Sequence, residues 1–514
     1  DKQPIIHPHS VIVTMSNECF LKCDNSFSKD LELCNDCQLI YFCSPICKSI
    51  HKGGRSRSLS TLISNIPCLP FKVEVKSDIG RCLVAVRDIK ASELVLVDTP
   101  VVKCPQSIPI CPVCLSKLPH ENIIPCKNCQ LPTCGIHCSE MHVNHSECVL
   151  YKDLHSLEWT RGVPNIIFSA IGVIRYLDSH KKIQDQLPDL WMDKLMDHLE
   201  DMVKDDIIRD YLSSLVEFLQ GECGLNHHSA SAIKRAYGIL RVNSVGMEYQ
   251  SEGRALFPIL SMFSHSCVSN LFFEELNDSE VLMLAQRNIS QGEELSIRYI
   301  SFMTGTNGRQ SLLMDQWYFK CNCIRCNDPT ELGTFSSCLR CEKPCDGLVE
   351  MGKNQEWSCN KCFKVFESSR VCDTLGKAAV VLSNGSESID YYENAIIEIS
   401  THLLSPKHFL VMKMRVHIIS LYLKNQRISE MSERCLISFI EHHMILLSYL
   451  DSVDPGRSLL MGSFLKHFAQ AKIYLLTLRM KNKSIELPDA LKEMKGIAFI
   501  DKQVKKMMSK YIDR

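Results

Sequence analysis

Met262-Phe263-Ser264-His265-Ser266-Cys267-Val268-Ser269-Asn270 breaks an apolar, strand-like run with a histidine, a cysteine and an asparagine set among hydroxyls. A stretch of this kind is a metal corner, a turn that presents chemistry, or a buried loop. The other cysteines bear on the choice. The chain has 28 of them in 514 residues. Scattered at random they would form C-x2-C pairs roughly 1.5 times. Six such pairs occur, at 34/37, 111/114, 126/129, 323/326, 338/341 and 359/362. No secretory leader pattern is visible, so reduced thiols are expected. Zinc then explains the excess, because two cysteines three apart face one tetrahedral ion across a tight turn.

Composition excludes more than it selects. Apolar content of 45%, charged content of 23% and a net charge of −1 describe an ordinary globular chain with room for several cores. No bulk basic charge points to nucleic acid. Lys52-Gly53-Gly54-Arg55-Ser56-Arg57-Ser58 reads as a flexible linker. The longest apolar stretch, 163–177, contains Asn165 and Arg175 and is too short and too polar to span a bilayer. The expectation is a soluble protein of cytoplasm and nucleus, monomeric given its neutral, mixed surface.

The fullest cysteine cluster is Cys111, Cys114, Cys126, Cys129, Cys134 and Cys138, closed by His142, His145 and Cys148. Eight ligands make two interleaved sites: Cys111, Cys114, Cys134 and Cys138 on one ion, Cys126, Cys129, His145 and Cys148 on the other, with His142 the rival for the histidine position. The segment has too few apolar residues for a core of its own, and structural zinc supplies on the order of 10 kcal/mol or more to such modules. A second, imperfect copy precedes it: Cys19, Cys23, Cys34, Cys37, Cys43, Cys47 and His51. That copy lacks a closing cysteine, and Cys68 or water would have to complete its second site. Cys321, Cys323 and Cys326 form a set of three that needs a fourth ligand, with Cys267 a distant candidate. Cys338, Cys341, Cys359 and Cys362 read as a four-cysteine ribbon, with Cys345 competing for a place. A closed four-ligand site leaves no position for substrate, so these groups are structural.

Three separated segments now line up. The first runs Gly80-Arg-Cys-Leu-Val-Ala-Val-Arg-Asp-Ile-Lys-Ala-Ser-Glu-Leu-Val-Leu96, alternating like two short strands around a turn. The second runs from Asn243 through the quoted stretch to Gly292-Glu-Glu-Leu-Ser-Ile-Arg-Tyr299. The third is Gln316-Trp-Tyr-Phe319-x-Cys321-x-Cys323-x2-Cys326. With the eight-ligand cluster, similar to the MYND zinc finger, inserted after the first segment, this order resembles the SET-and-MYND (Smyd) family of lysine methyltransferases. The ribbon makes it most similar to the arthropod SmydA branch. The likeness covers about residues 70 to 365.

The resemblance implies an α+β multidomain chain. Its parts would be an N-terminal finger and linker (1–60), the first SET segment (70–110), a MYND finger (111–148), a helical SET insertion (149–235), the core SET fold with a threaded pseudoknot (236–302), a post-SET zinc site and ribbon (303–365), and an all-helical TPR-like tail (366–514). It implies S-adenosylmethionine and four or five zinc ions as cofactors. Cys267 becomes the fourth ligand for Cys321, Cys323 and Cys326. Tyr299 becomes the catalytic tyrosine. Gly80, Arg81, Cys82, Asn243, Ser264, His265, Tyr299 and Phe319 would bind the cofactor, and Trp317 and Tyr318 would line the lysine channel. Four departures stand out: Cys82 and Ser92 for glycine, Ser264 for asparagine, Ser269 for proline. The implied function is methylation of a protein lysine, histone or other, in the regulation of gene expression. The alternative is a catalytically weak adaptor that recruits co-repressors or proline-rich peptides through the MYND finger.

The tail can be read without the resemblance. Residues 388–404, 408–423, 431–450 and 459–480 repeat apolar side chains at i, i+3, i+4 and i+7, with breaks at Pro406, Asn425 and Pro455-Gly456. Residues 150–235 also look helical, with Trp159, Ile166, Ile171 and Ile174 as core candidates.

Overall fold

Two turns that share an Arg-x-Ile-x3-Glu pattern build the centre of the β-fold. Arg87-Asp88-Ile89-Lys90-Ala91-Ser92-Glu93 and Arg287-Asn288-Ile289-Ser290-Gln291-Gly292-Glu293 each close an Arg–Glu ion pair. In each, a backbone N–H three residues before the glutamate (Lys90, Ser290) donates to its Oε2 at 3.1 Å. Ile89 and Ile289 exchange both backbone hydrogen bonds. Asn288 accepts from Ala91 N–H, and Asp88 from Gln291 N–H, each at 2.9 Å. The same position takes left-handed backbone in both turns: Gly292 at φ 84 and Ser92 at φ 68. Glycine adopts that conformation freely, and Ser92 holds it against its own Cβ.

The computed structural model describes residues 70–508, short stretches at 77–79, 106–109, 120–122, 153, 155–164, 187–194, 248–252, 258, 278–279, 353–355 and 457 excepted, together with the paired strands Glu32–Leu33 and Tyr41–Phe42. Cys19, Cys23, Cys34, Cys37, Cys43, Cys47 and His51 of the expected first finger lie outside the described residues, as does Trp159.

The strands are short and split among small sheets. Phe71–Lys76 and Gly80–Ala85 form an antiparallel hairpin. Leu94–Asp98, Glu280–Ala285 and Leu271–Asn277 form a three-stranded antiparallel sheet. Val102–Pro105, Gly253–Leu256 and Val245–Gly246 form another. The quoted stretch supplies Ser264–His265, which pairs in parallel with Ser296–Ile297. Asn270 fastens this crossing. Its amide donates to Glu293 and to the Glu294 carbonyl, and its Oδ1 accepts from Ser296 N–H at 2.9 Å.

Helices Asn165–Gln186 and Ala230–Asn243 pack on these sheets and share one core with them, in which Ile171 and Ile174 are buried and Ile166 partly so. A four-stranded antiparallel ribbon of Leu339–Arg340, Leu348–Met351, Trp357–Cys359 and Val365–Phe366 leads into the tail. There Ile389–His402, Phe409–Asn425, Glu433–Val453 and Leu459–Lys481 match the four periodic stretches, with Ser368–Ser383 before them and Leu487–Met508 after. Ribbon and tail share a second core. No helix among the described residues is long and apolar enough to cross a membrane.

Candidate functional site

Four sulfurs meet beside the strand Ser264–His265. Cys267 Sγ lies 4.0 Å from Cys321 Sγ and 3.5 Å from Cys326 Sγ, and with Cys323 all four fall within 4.8 Å of one another. Tetrahedral zinc with bonds near 2.3 Å sets sulfurs about 3.8 Å apart, whereas a disulfide would bring a pair to about 2.0 Å. The spacing fits a metal ion. Sulfurs 54 residues apart in sequence therefore join the quoted loop to the segment Cys321–Cys326.

Charge around this group is arranged as well as sulfur. Arg309, Arg325 and Glu331 are fully buried. Glu331 Oε2 accepts from Arg309 and Arg325 at 2.8 Å each. Arg309 Nη2 also reaches Cys326 Sγ at 3.6 Å. Two arginines and one glutamate carry one surplus positive charge. Four thiolates around a divalent ion carry two negative charges, so the triad offsets half of a charge that burial would otherwise penalise.

His265 connects the sulfurs to the tyrosine. Burial holds its ring at about 4, so it is neutral. Its Nδ1 accepts the Tyr299 N–H at 3.0 Å, which leaves Nε2–H to point at Cys267 Sγ, 3.4 Å away. Tyr299 is packed against His265 and Trp317, with ring centroids 5.1 Å away in both cases, and Phe319 lies 6.0 Å from His265. Burial pushes the Tyr299 hydroxyl above its ordinary range. Its proton is donated to the Phe263 carbonyl at 2.7 Å, which leaves the oxygen's lone pairs for another partner.

The remaining expected residues fall nearby in different states. Gly80 takes φ 73 and has open space where a Cβ would sit. Cys82 is fully buried. Arg81 and Ser264 are half-buried. Both amide hydrogens of Asn243 are used inside the protein, on Met196 O at 2.8 Å and Ile239 O at 2.9 Å, which leaves its oxygen for a ligand. Trp317, Tyr318 and Phe319 are half-buried. Tyr318 stacks on His198, a residue that sequence reasoning passed over, at 5.2 Å.

The finger forms two further groups: Cys111, Cys114, Cys134, Cys138 and Cys126, Cys129, His142, Cys148. The histidine is His142 rather than the expected His145. His142 ends the helix Ile136–His142 one turn after Cys138 and points inward, fully buried, its Nδ1 3.6 Å from Cys129 Sγ. His145 stands in the N-cap position of the next helix, with a partly exposed side chain. Glu147, also missed, receives His142 Nε2 at 3.3 Å and pairs with Arg175 of the helix Asn165–Gln186. Burial alone would raise the Glu147 carboxyl, but Arg175 and His142 outweigh it and hold it at about 2. A carboxylate behind a ligating histidine fixes the ring's tautomer and orientation.

The ribbon needs a second correction. Its four sulfurs are Cys341, Cys345, Cys359 and Cys362, and Cys345 takes the place expected for Cys338. Cys341-x3-Cys345 lies in the turn between two paired strands, facing the Cys359-x2-Cys362 turn, with cross-pairs at 3.6 and 3.7 Å. Cys338 enters the first strand from its other end and is buried against the Pro329 carbonyl.

A family model described as "SET domain" matches residues 80–300. SET domain-containing protein SmydA-8, isoform A, of Drosophila melanogaster is 25% identical over 66% of this chain and 75% of its own length. Histone-lysine N-methyltransferase ASHR1 of Arabidopsis thaliana is 25% identical over 55% of this chain and 62% of its own. Histone-lysine N-methyltransferase SMYD3 of Mus musculus is 39% identical, but over 15% of this chain and 18% of its own. The parallel pairing of Ser264–His265 with Ser296–Ile297, the four sulfurs beside it and these likenesses identify a SET domain over residues 80–300, in a chain similar over two thirds of its length to SmydA-8.

Proposed function

We propose that this chain is an S-adenosylmethionine-dependent protein-lysine N-methyltransferase of histone or other protein substrates, acting in cytoplasm and nucleus in the regulation of gene expression. The observation that carries the reading is the meeting of Tyr299, His265 and the Cys267 clasp at one point of the SET core. Zinc is the metal assigned to the four sulfur-rich groups, with Cys19 to His51 as a further site.

The open space at Gly80 and the half-exposed rings of Trp317 and Phe319 fit a bound nucleoside and its sulfonium. The backbone at Gly80, Arg81 and Cys82, the Asn243 oxygen, Ser264, His265 and Phe319 would hold that cofactor, which supplies an activated methyl group. Trp317 and Tyr318 would admit the lysine. A lysine ammonium has no lone pair, and a dry aromatic channel lowers its pKa toward the reactive amine. Tyr299 does not remove that proton, because burial keeps its own hydroxyl protonated. Its role is orientation. With its hydrogen held by Phe263, the oxygen presents lone pairs to the amine and to the partly positive methyl. Near-attack placement of this kind contributes several of the ~7–11 kcal/mol available from orientation.

A peptide-array methylation assay with labelled cofactor tests the proposal. Label on lysine-containing peptides that disappears in Tyr299→Phe supports it. An array left unlabelled at saturating cofactor contradicts it. A second reading, an adaptor, is favoured by Ile136, Met141 and Val149, apolar side chains exposed on the two finger helices. They suit a proline-rich peptide.

A further inference from the structure

One carboxylate of the helical tail is buried in the SET core. Asp454 ends the helix Glu433–Val453 and is 1% exposed. Its Oδ1 accepts from Arg298 Nη1 at 2.8 Å and from Gln286 Nε2, while its Oδ2 has no partner. Arg298 precedes Tyr299 in the chain, and its guanidinium lies 4.9 Å from the Phe302 ring. Gln286 is buried too. Its Oε1 accepts from the Ser269 hydroxyl at 3.4 Å, and its backbone N–H donates to the Asn270 carbonyl at 2.8 Å. One tail residue thus reaches both the segment that carries the tyrosine and the loop that carries Cys267.

Contact and charge reinforce each other here. Gly456 takes φ 113, and a Cβ on it would stand 2.2 Å from the Gln286 carbonyl oxygen. The turn Asp454-Pro455-Gly456 is therefore seated against the Gln286 backbone as closely as a residue without a side chain permits. A buried carboxylate is tolerated only while its cation stays in place, and here the cation is Arg298, whose own side chain is 19% exposed. Moving the Arg298–Tyr299 segment away leaves the Asp454 carboxylate buried without its cation, and undocking the turn takes the carboxylate away from Arg298. Two elements that stabilise each other in this way are coupled reciprocally.

We propose that Asp454 is a positioning residue for the active site: through Arg298 and Gln286 it holds the Arg298–Tyr299 segment and the 264–270 loop in register, so the tail is a working part of the site. This deepens the methyltransferase reading and rests on it for the role of Tyr299. The structural part stands independently, because the Tyr299 amide reports its own restraint through its bond to His265.

Hydrogen–deuterium exchange of the peptide covering 295–303 in the full zinc-loaded chain tests it without any assay of activity. Asp454→Asn keeps shape and removes charge. It is expected to speed exchange at 296–300 by roughly tenfold or more while exchange in the helix Phe409–Asn425 stays unchanged. Asp454→Asn with Arg298→Gln removes both charges and should regain most of that protection. Gly456→Ala, which blocks docking by contact alone, should reproduce the effect of Asp454→Asn. If methyl transfer is observed, Asp454→Asn should lower kcat about tenfold and leave cofactor Kd within about threefold. Unchanged exchange at 296–300 in both single variants would overturn the proposal. So would uniform loosening of the whole chain, which is what a merely structural ion pair gives. Absence of methyl transfer by the unaltered chain would instead refute the enzyme reading and leave the exchange result to decide the coupling.

Discussion

His265 Nδ1 accepts the backbone N–H of Tyr299 at 3.0 Å while its Nε2 points at Cys267 Sγ at 3.4 Å. One imidazole thus ties a metal-type sulfur cluster to the segment that presents the tyrosine hydroxyl. The cluster has no open coordination position for chemistry, and its influence on the site is geometric.

Tyr299→Phe removes the hydroxyl and its bond to the Phe263 carbonyl but retains the ring contacts with His265 and Trp317. Methyl transfer should fall on the order of 10²-fold, the loss typical of one preorganised polar group. Cofactor affinity should change little. Steady-state kinetics beside equilibrium binding separate the two. Equal losses in both would assign Tyr299 to cofactor binding instead.

The ribbon predicts opposite behaviour for two neighbouring cysteines. Cys345→Ser should cost the chain one zinc ion by elemental analysis, because its sulfur belongs to the group of Cys341, Cys359 and Cys362. Cys338→Ser should cost none, its thiol being spent on a carbonyl. The reverse pattern would restore the ligand set expected from C-x2-C spacing.

In the finger, His142→Ala should release an ion and loosen the contact with Arg175 through Glu147, whereas His145→Ala should retain full metal content. Zinc content together with proteolysis of residues 111–148 reads both effects.

The tail should be acid-sensitive in a defined window. His443 is fully buried, its Nδ1–H held by the Phe439 carbonyl at 2.8 Å, and burial lowers its ring from 6.5 to about 4. The folded state keeps it neutral, whereas the unfolded chain protonates it below about 6.5. Its contribution is therefore complete above that pH and is lost as pH falls toward 4, at most about 3 kcal/mol for 2.5 units. His442 and His467 nearby shift in the same direction and add to the slope. His443→Leu should flatten the dependence of tail melting on pH between 6.5 and 4. An unchanged slope would place the acid sensitivity elsewhere.

The sequence was most legible where chemistry imposes a pattern. The spacing of Cys321, Cys323 and Cys326 announced a missing fourth thiolate, and the Cys267 sulfur stands beside them. Apolar periodicity placed four of the tail helices within a few residues of their ends. It failed where a ligand depends on which way a turn faces. His142 and His145 are three residues apart, and only the end of one helix decides which is buried. Cys338 and Cys345 flank Cys341 almost symmetrically, and strand pairing selects between them. The twin turns at 87–93 and 287–293 were visible as letters, and would have explained Ser92 as the partner of Gly292. Asp454 had no signal at all: in sequence it is one acid before a Pro-Gly break, and its meaning comes from Arg298 and Gln286, more than 150 residues away.

Titration calorimetry of S-adenosylmethionine into the zinc-loaded chain, beside Cys267→Ser, tests the central claim most directly. The account predicts saturable one-to-one binding by the unaltered chain and at least tenfold weaker binding once the sulfur at 267 is gone. Saturable binding that is indifferent to the Cys267 substitution, or no heat at millimolar cofactor, would contradict it.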